Sequence, residues 1–456
     1  MIGIIVRSKR DADAIKAMIR TFYYDWDLKI YTLHGSRNID KALSELEKIL
    51  SEKMFYTILL GREDTKLANE LEKSLPPNVV VHIVPRARIR NTRLEHLANE
   101  FNIARSKFRL LIKWSEENHI YMFNRSRGIE LENYEYNPAY DIFFGLGDKT
   151  YEVLSNFLGR KLCKNPLLIR RFSGEHYVYC GKDLVGILNV PDEGFRPYGK
   201  LLKKSPIEEI NINKLLRLNA YTLNTFEKIS IEFLKNYRDW ADTIIVPWSG
   251  GKDSTTVLIL ALNAFPKEKI HVVNVDTGVE FPWTIEYIDK VSRQLGITVY
   301  KVYAGIDRTI LADGNPMPRH DNRWCTGLKI QAVEKAIKEL AQGNTLVITG
   351  DRDAESRPRS MRSPCRDTDS NIKTVSPIKL WSTAHTQLYL MKKNIPLNPL
   401  YLYGFYRIGC YICPALRSIE KYILLNSRDL VEVLERYELF RKFIKISKKL
   451  SGPAGI

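Results

Sequence analysis

No stretch of this chain reaches 18 uninterrupted apolar residues, so nothing in it reads as a membrane-spanning helix. The start, MIGIIVRSKRDADAIKAMIR, places its charge after the apolar run, the reverse of a secretory leader. Together these absences make a cytoplasmic protein the expectation. Cysteine is scarce: six in 456 residues exclude a disulfide scaffold. Internal repeats and low-complexity segments are missing too, and 44% hydrophobic with 11% aromatic residues argue for a folded globular chain. Acidic residues are in deficit. Seventy Lys and Arg stand against 53 Asp and Glu, a formal charge of +17, which favours RNA, DNA or an anionic substrate as partner. The arginines also cluster, in PRARIRNTR (Arg86, Arg88, Arg90, Arg93) and in DRDAESRPRSMRSPCR (Arg352, Arg357, Arg359, Arg362, Arg366).

The length asks for two or three domains. Residues 1–132 alternate strand-like runs (IGIIVRS, LKIYTLHG, FYTILLG, VVVHIVP) with helical periodicity, an α/β domain without a phosphate loop. A structural or RNA-docking role fits it better than catalysis. Residues 133–208 form a small β-rich module, in which EHYVYCGKDLVGILNV predicts a hairpin turning near Gly181. In size and hairpins alone it resembles the RNA-binding PUA type. Residues 215–456 form the third unit, expected to hold its ligand without the other two.

Within that unit, VPWSGGKDSTTVLILAL places SGGKDS between a buried strand and an apolar helix. Glycines let the backbone approach a ligand, and the helix N-terminus adds partial positive charge, so the turn is an anion cradle. Ser249, Ser254 and Thr255 offer hydroxyls, Lys252 a charge, and Asp253 a carboxylate for the loop or Mg²⁺. A Walker A loop is excluded because G-x-x-x-x-G-K-[ST] is absent.

SGGKDS resembles the PP-loop of adenine-nucleotide α-hydrolase-like enzymes. From about residue 240 to 415 the chain resembles the phosphoadenosine phosphosulfate (PAPS) reductase family: VVNVDTGVEFPWT, RWCTGLKI, TGDRDAESRPR, PIKLWS and NPLYLYGFYRIGCYIC follow the loop in the family's order. The resemblance implies an α/β PP-loop fold with a parallel sheet, preceded here by the small α/β domain and the β-rich module. It implies nucleotide contacts from Ser249, Gly250, Gly251, Lys252, Asp253, Ser254, Asp276, Thr277, Gly278, Lys329, Gly350, Arg352, Glu355, Ser356 and Arg359. Asp276 would position a ribose, Mg²⁺ or the loop; Lys329, Arg352 and Arg359 would neutralise phosphate or sulfate oxygens. Three departures put the substrate in question: Trp283 stands where the family often has Glu, and His385 and Gln387 replace acidic and aromatic residues. No cysteine follows Cys413, whereas sulfonucleotide reductases use a nucleophilic cysteine in the tail.

Cluster-bearing members of the family place cysteines at the motifs that hold Cys325 and the Cys410–Cys413 pair. Cys365 is the candidate fourth ligand, and four thiolates suit a [4Fe–4S] cluster or Zn²⁺. A free redox pair is the alternative. Cys163 and Cys180 read as core or surface residues. Two enzymatic readings follow. The first is ATP-dependent adenylation and sulfur transfer to a nucleic-acid base, most readily of tRNA, with Lys252, Asp253, Cys410 and Cys413 in the chemistry and a sulfur-donor protein as partner. The second is reduction of adenylyl sulfate or PAPS to sulfite, with an electron-donor protein. A non-catalytic nucleotide- or nucleic-acid-binding protein is the third reading.

Overall fold

A computed structural model describes residues 1–192, 196–204, 209–312 and 314–450. The expected end of the β-rich module at residue 208 and the last six residues of the chain lie outside the described residues. Four parallel strands, β1 (Ile2–Val6), β2 (Leu28–Thr32), β3 (Phe55–Gly61) and β4 (Val79–Val84), form the first sheet in the order β2-β1-β3-β4. Every residue of β1 and β3 is buried, because helices cover both faces. The long helix Leu94–Leu110 leads to a hairpin of β5 (Ile112–Ser115) and β6 (Ile120–Phe123).

An antiparallel five-stranded sheet follows: β7 (Tyr140–Phe144), β8 (Leu167–Arg171), β9 (Glu175–Cys180), β10 (Asp183–Asn189) and β11 (Tyr198–Leu201). Strands β9 and β10 are the hairpin expected from the alternation, with Gly181 at φ +63° in its turn. Cys163 and Cys180 are core residues, one of the two places the sequence left open. They are bonded to each other, because the end of β9 lies with its Cα 5.8 Å from that of Cys163.

The third sheet has six strands: β12 (Thr243–Pro247), β13 (Ile270–Asp276), β14 (Val299–Tyr303), β15 (Thr345–Ile348), β16 (Cys365–Asp369) and β17 (Ile372–Val375). Their order is β14-β13-β12-β15-β17-β16, parallel except for the antiparallel edge strand β16. This is the α/β class anticipated. The strand order reverses direction on either side of β12, where such sheets bind ligands beyond their carboxyl ends. Among the described residues no helix is long and apolar enough to cross a membrane.

The three sheets share buried contacts. Residues of the first domain, of β7 and β8, and of the third sheet belong to one apolar core. His385 and Gln387 are part of this junction, which corrects their reading as substrate-determining departures. Gln387 accepts from Phe144 N (2.9 Å) and donates to Phe144 O (3.0 Å), fastening β7 to the helix Thr383–Lys392. His385 is fully buried and stacks on Phe226, 4.6 Å between ring centres.

Candidate active site

The loop Ser249–Gly251 joins β12 to the helix Lys252–Ala264. Gly250 sits at φ +71°, and a Cβ there would lie 3.1 Å from Ile288, so only glycine makes this turn. The Ser249 and Ser254 hydroxyls are 3.2 Å apart across the loop. Tyr401 braces the helix start, its hydroxyl accepting from Lys252 N at 3.1 Å. Beside the loop, at the ends of β12 and β13, lies a cleft of about 340 Å³ lined by Trp248, Asp276, Ile285, Ile288, Lys329 and Val333 among others. That volume is at the small end of ligand pockets.

The turn after β13 forms the far wall. Asp276 Oδ1 accepts from Gly278 N at 2.8 Å, and Thr277 donates to Glu280 at 2.9 Å. Gly278 has φ +75°, with Asp307 packed where a side chain would be. A backbone bridge pairs Glu280 with Cys410, which ties this turn to the cysteine loop.

Behind the cleft lining sit three thiols: Cys410 buried, Cys325 and Cys413 half-buried, all packed on one apolar cluster. Lys329, one turn after Cys325 on the helix Trp324–Leu340, points its Nζ at Cys410 Sγ (3.0 Å), with Glu280 3.6 Å away. Burial first, and then Glu280, outweigh Lys329 and push the Cys410 thiol up to about 12. Near neutral pH Cys410 is therefore a thiol, and the lasting partner of the Lys329 ammonium is Glu280. Burial works against that ammonium, yet its neighbours hold its pKa above the ordinary lysine value.

The expected four-thiolate set is not assembled. Cys365 lies on the edge strand β16 opposite Val375, with its thiol against the Tyr237 hydroxyl. Among the described residues no three Cys, His, Asp or Glu side chains are grouped as metal ligands. A four-cysteine cluster or zinc site built on Cys325, Cys365, Cys410 and Cys413 does not fit this arrangement. Asp253, the candidate for Mg²⁺ or the loop, has its carboxylate against two cations of the protein.

Those cations are Lys252 and Arg352, placed differently from the sequence expectation. Lys252 is 4% exposed and its ammonium turns inward, to Asp253 Oδ2 (3.1 Å) and Tyr406 O (3.2 Å), between the rings of Tyr401 and Tyr406. Arg352 is 1% exposed and stands between two carboxylates. Its Nε is 2.8 Å from Asp253 Oδ1, off-line for a hydrogen bond, and its Nη1 donates to Asp141 at 3.0 Å. Its Nη2 donates to Thr383 at 2.8 Å. Both cations are thus paired with the protein's own acceptors at the base of the loop. Asp141, on β7 of the middle sheet, was not singled out from the sequence; its partners are more than 200 residues away, and no local pattern marks it.

Gly350 packs against the backbone of Asp253, where a Cβ would come within 3.0 Å. The following segment carries the anion-binding candidates that do face outward. Glu355 accepts from Arg352 N at 3.1 Å and pairs with Arg359; Ser356 caps the short helix Arg357–Met361 by accepting from Arg359 N at 3.3 Å. Arg359, Arg362 and Arg366 surround the single carboxylate of Asp351 at 3.7, 3.5 and 3.8 Å. In the first domain Arg86 and Arg93 are exposed, while Arg88 pairs with Glu63 at 2.9 Å.

A glycine turn between a central parallel strand and a helix, beside a cleft at the strands' carboxyl ends, defines a PP-loop α/β domain. The family model of the phosphoadenosine phosphosulfate reductase domain matches residues 243–416. An uncharacterized protein of Methanocaldococcus jannaschii is 32% identical over 251 residues, 54% of this chain and 51% of that protein. The chain spans about half the length of the first curated relatives it matches, 51% and 59%. An adenosine 5'-phosphosulfate reductase of a Chelativorans species is 26% identical over 168 residues, 36% of this chain and 66% of that protein. The crystal structure of a phosphoadenylyl-sulfate reductase from Candida auris, a phosphate complex, aligns with 42% of this chain and 95% of that one, at 18% identity and a TM-score of 0.32.

Proposed function

We propose that this chain is an adenine-nucleotide-dependent enzyme of sulfur chemistry. The base and ribose occupy the cleft between the Ser249–Ser254 loop and the Asp276–Glu280 turn. The phosphates lie over the loop, and Arg359 and Arg362 neutralise the terminal anion. One observation carries the reading: the Cys410 thiol sits 3.0 Å from Lys329, which itself lines the nucleotide cleft, so one cation can serve both the sulfur and the nucleotide. Asp276 is the candidate ribose ligand, and Lys329 the cation that would stabilise Cys410 as thiolate when a substrate arrives.

Two substrates are compatible with this arrangement. With ATP, cleavage between the α and β phosphates would activate an acceptor, a nucleic-acid base such as one in tRNA, for sulfur transfer; the +17 charge supports it. With a sulfonucleotide, Cys410 would act on the sulfate sulfur; the likeness to an adenosine 5'-phosphosulfate reductase supports this. Incubation with ATP, adenylyl sulfate or PAPS, with and without tRNA, separates them. AMP and pyrophosphate stimulated by tRNA identify the first, and sulfite the second. No product from any substrate, in a protein that binds none of the three nucleotides, would refute both.

A further inference from the structure

The short helix Arg357–Met361 carries its anion-binding candidates on one side and is held from the other by the first domain. A five-residue helix has too few hydrogen bonds to stand alone, and its closing backbone bond is the cap one, from Arg362 N to Arg359 O. Side chains from outside supply donors to three carbonyls in succession. Lys379 Nζ donates to Arg359 O at 2.7 Å, Arg105 Nη2 to Ser360 O at 3.2 Å, and Trp26 Nε1 to Met361 O at 3.4 Å. Directly after them Ser363 donates to Asp25 O at 2.9 Å.

Arg105 and Trp26 belong to the first domain, more than 250 residues away in sequence. The Arg105 guanidinium stacks 4.5 Å from the Trp26 ring and faces Asp353 at 3.5 Å. Arg105, Asp353 and Lys379 are each at most 2% exposed. Burying two cations with one carboxylate carries a desolvation cost that an apolar interface of the same shape would avoid. What the polar solution adds is direction: these groups fix the carbonyls of one turn, and so fix where Arg359 and Arg362 project.

We infer that Arg105 and Trp26 are positioning residues for the nucleotide's terminal anion, and that the first domain is thereby a working part of the nucleotide site. The inference rests on the proposed role of Arg359. It predicts a defect that depends on the ligand: groups binding the terminal phosphates are displaced, whereas the cleft on the other side of the loop is untouched.

The test uses the full chain and calorimetric titration with ATP and with AMP. Arg105→Met is expected to weaken ATP about tenfold, the size of one charge-assisted contact, and AMP less than about twofold. Arg105→Lys, which keeps the charge, should recover part of the loss. Trp26→Phe keeps the ring under Arg105 and removes only the N–H donor, so it should shift the ATP-to-AMP affinity ratio in the same direction by a smaller factor; it decides the matter if Arg105→Met does not fold. Equal weakening of both ligands, or none, would overturn the inference. Arg359→Ala separates the two levels. If it leaves the ratio unchanged, the anion-binding reading fails and the positioning role with it. A fall in the ratio for Arg359→Ala alone, with Arg105→Met and Trp26→Phe like wild type, sinks only the positioning role.

Discussion

Asp141→Asn tests whether the middle sheet is structurally joined to the nucleotide loop. Asp141 is fully buried and accepts from Arg352 Nη1 (3.0 Å), Thr383 N (3.0 Å), Thr383 Oγ1 (2.7 Å) and Tyr406 OH (2.7 Å). Burial alone would raise its pKa, but Arg352, Tyr406 and Thr383 outweigh it and hold the carboxyl well below the usual range. The amide keeps the shape and removes the charge, leaving Arg352 buried with Asp253 alone. Breaking a buried pair in this way costs about 3–5 kcal/mol. Unfolding entropy of about 2.1 cal/mol/K per residue amounts to roughly 1 kcal/mol/K for a chain of this length, so the melting temperature should fall by about 3–5 °C. Differential scanning calorimetry measures it. Because Arg352 is the shared partner, Asp141→Asn combined with Arg352→Met should be less damaging than the sum of the two. A melting temperature within about 1 °C of wild type, or strictly additive losses, refutes the Asp141–Arg352–Asp253 chain as a structural link.

Other outcomes follow from the same geometry. Gln387→Leu leaves Phe144 N and O unpaired in a buried junction, about 1–3 kcal/mol for each, and should lower the melting temperature without altering nucleotide affinity first. Gly278→Ala forces a side chain into Asp307 at a positive φ; nucleotide binding should weaken, and an unchanged Kd would exclude the Asp276–Glu280 turn as a wall of the site. Burial lowers His176 and His385 to about 3, against an ordinary value near 6.5. Both stay neutral in the fold while the unfolded chain takes up protons, so their contribution is complete above pH ~6.5 and is lost as pH falls towards 3, by about 1.4 kcal/mol per pH unit for each. Acid denaturation of His385→Phe should show a correspondingly shallower slope. Thiol titration of denatured, unreduced protein should count four free cysteines, since Cys163 and Cys180 are bonded; six would contradict that bond.

The features legible in the sequence were those that chemistry confines to a few consecutive residues. SGGKDS and DTGVE each announce a strand-end turn and GCYIC a tight cysteine loop, and the structure gathers all three around one cleft. Residue type alone could not say which way a charge points. Lys252 and Arg352 look like phosphate ligands in a phosphate-loop motif, yet Asp253, Asp141 and the Tyr406 carbonyl draw both inward. Cys365 looked like a fourth ligand because its distance along the chain carries no information about its strand, which proves to be the sheet's edge. His385 and Gln387 were visible as departures, but the neighbours that explain them, Phe226 and Phe144, lie outside the family segment. The same cross-domain contacts bear on the expectation that residues 215–456 hold their ligand alone. Removing the preceding sheets would take Asp141 from Arg352 and Arg105 from Asp353, two buried ion pairs of the segment.

The central claim is that the cleft beside Ser249–Ser254 holds an adenine nucleotide next to Cys410. A structure of the full chain bound to ATP tests it most directly. The account predicts the adenine between Trp248, Ile285 and Ile288, the phosphates on the loop with the terminal one towards Arg359, and Lys329 between the nucleotide and Cys410. A nucleotide bound elsewhere, or phosphates directed away from both the loop and Arg359, would contradict it.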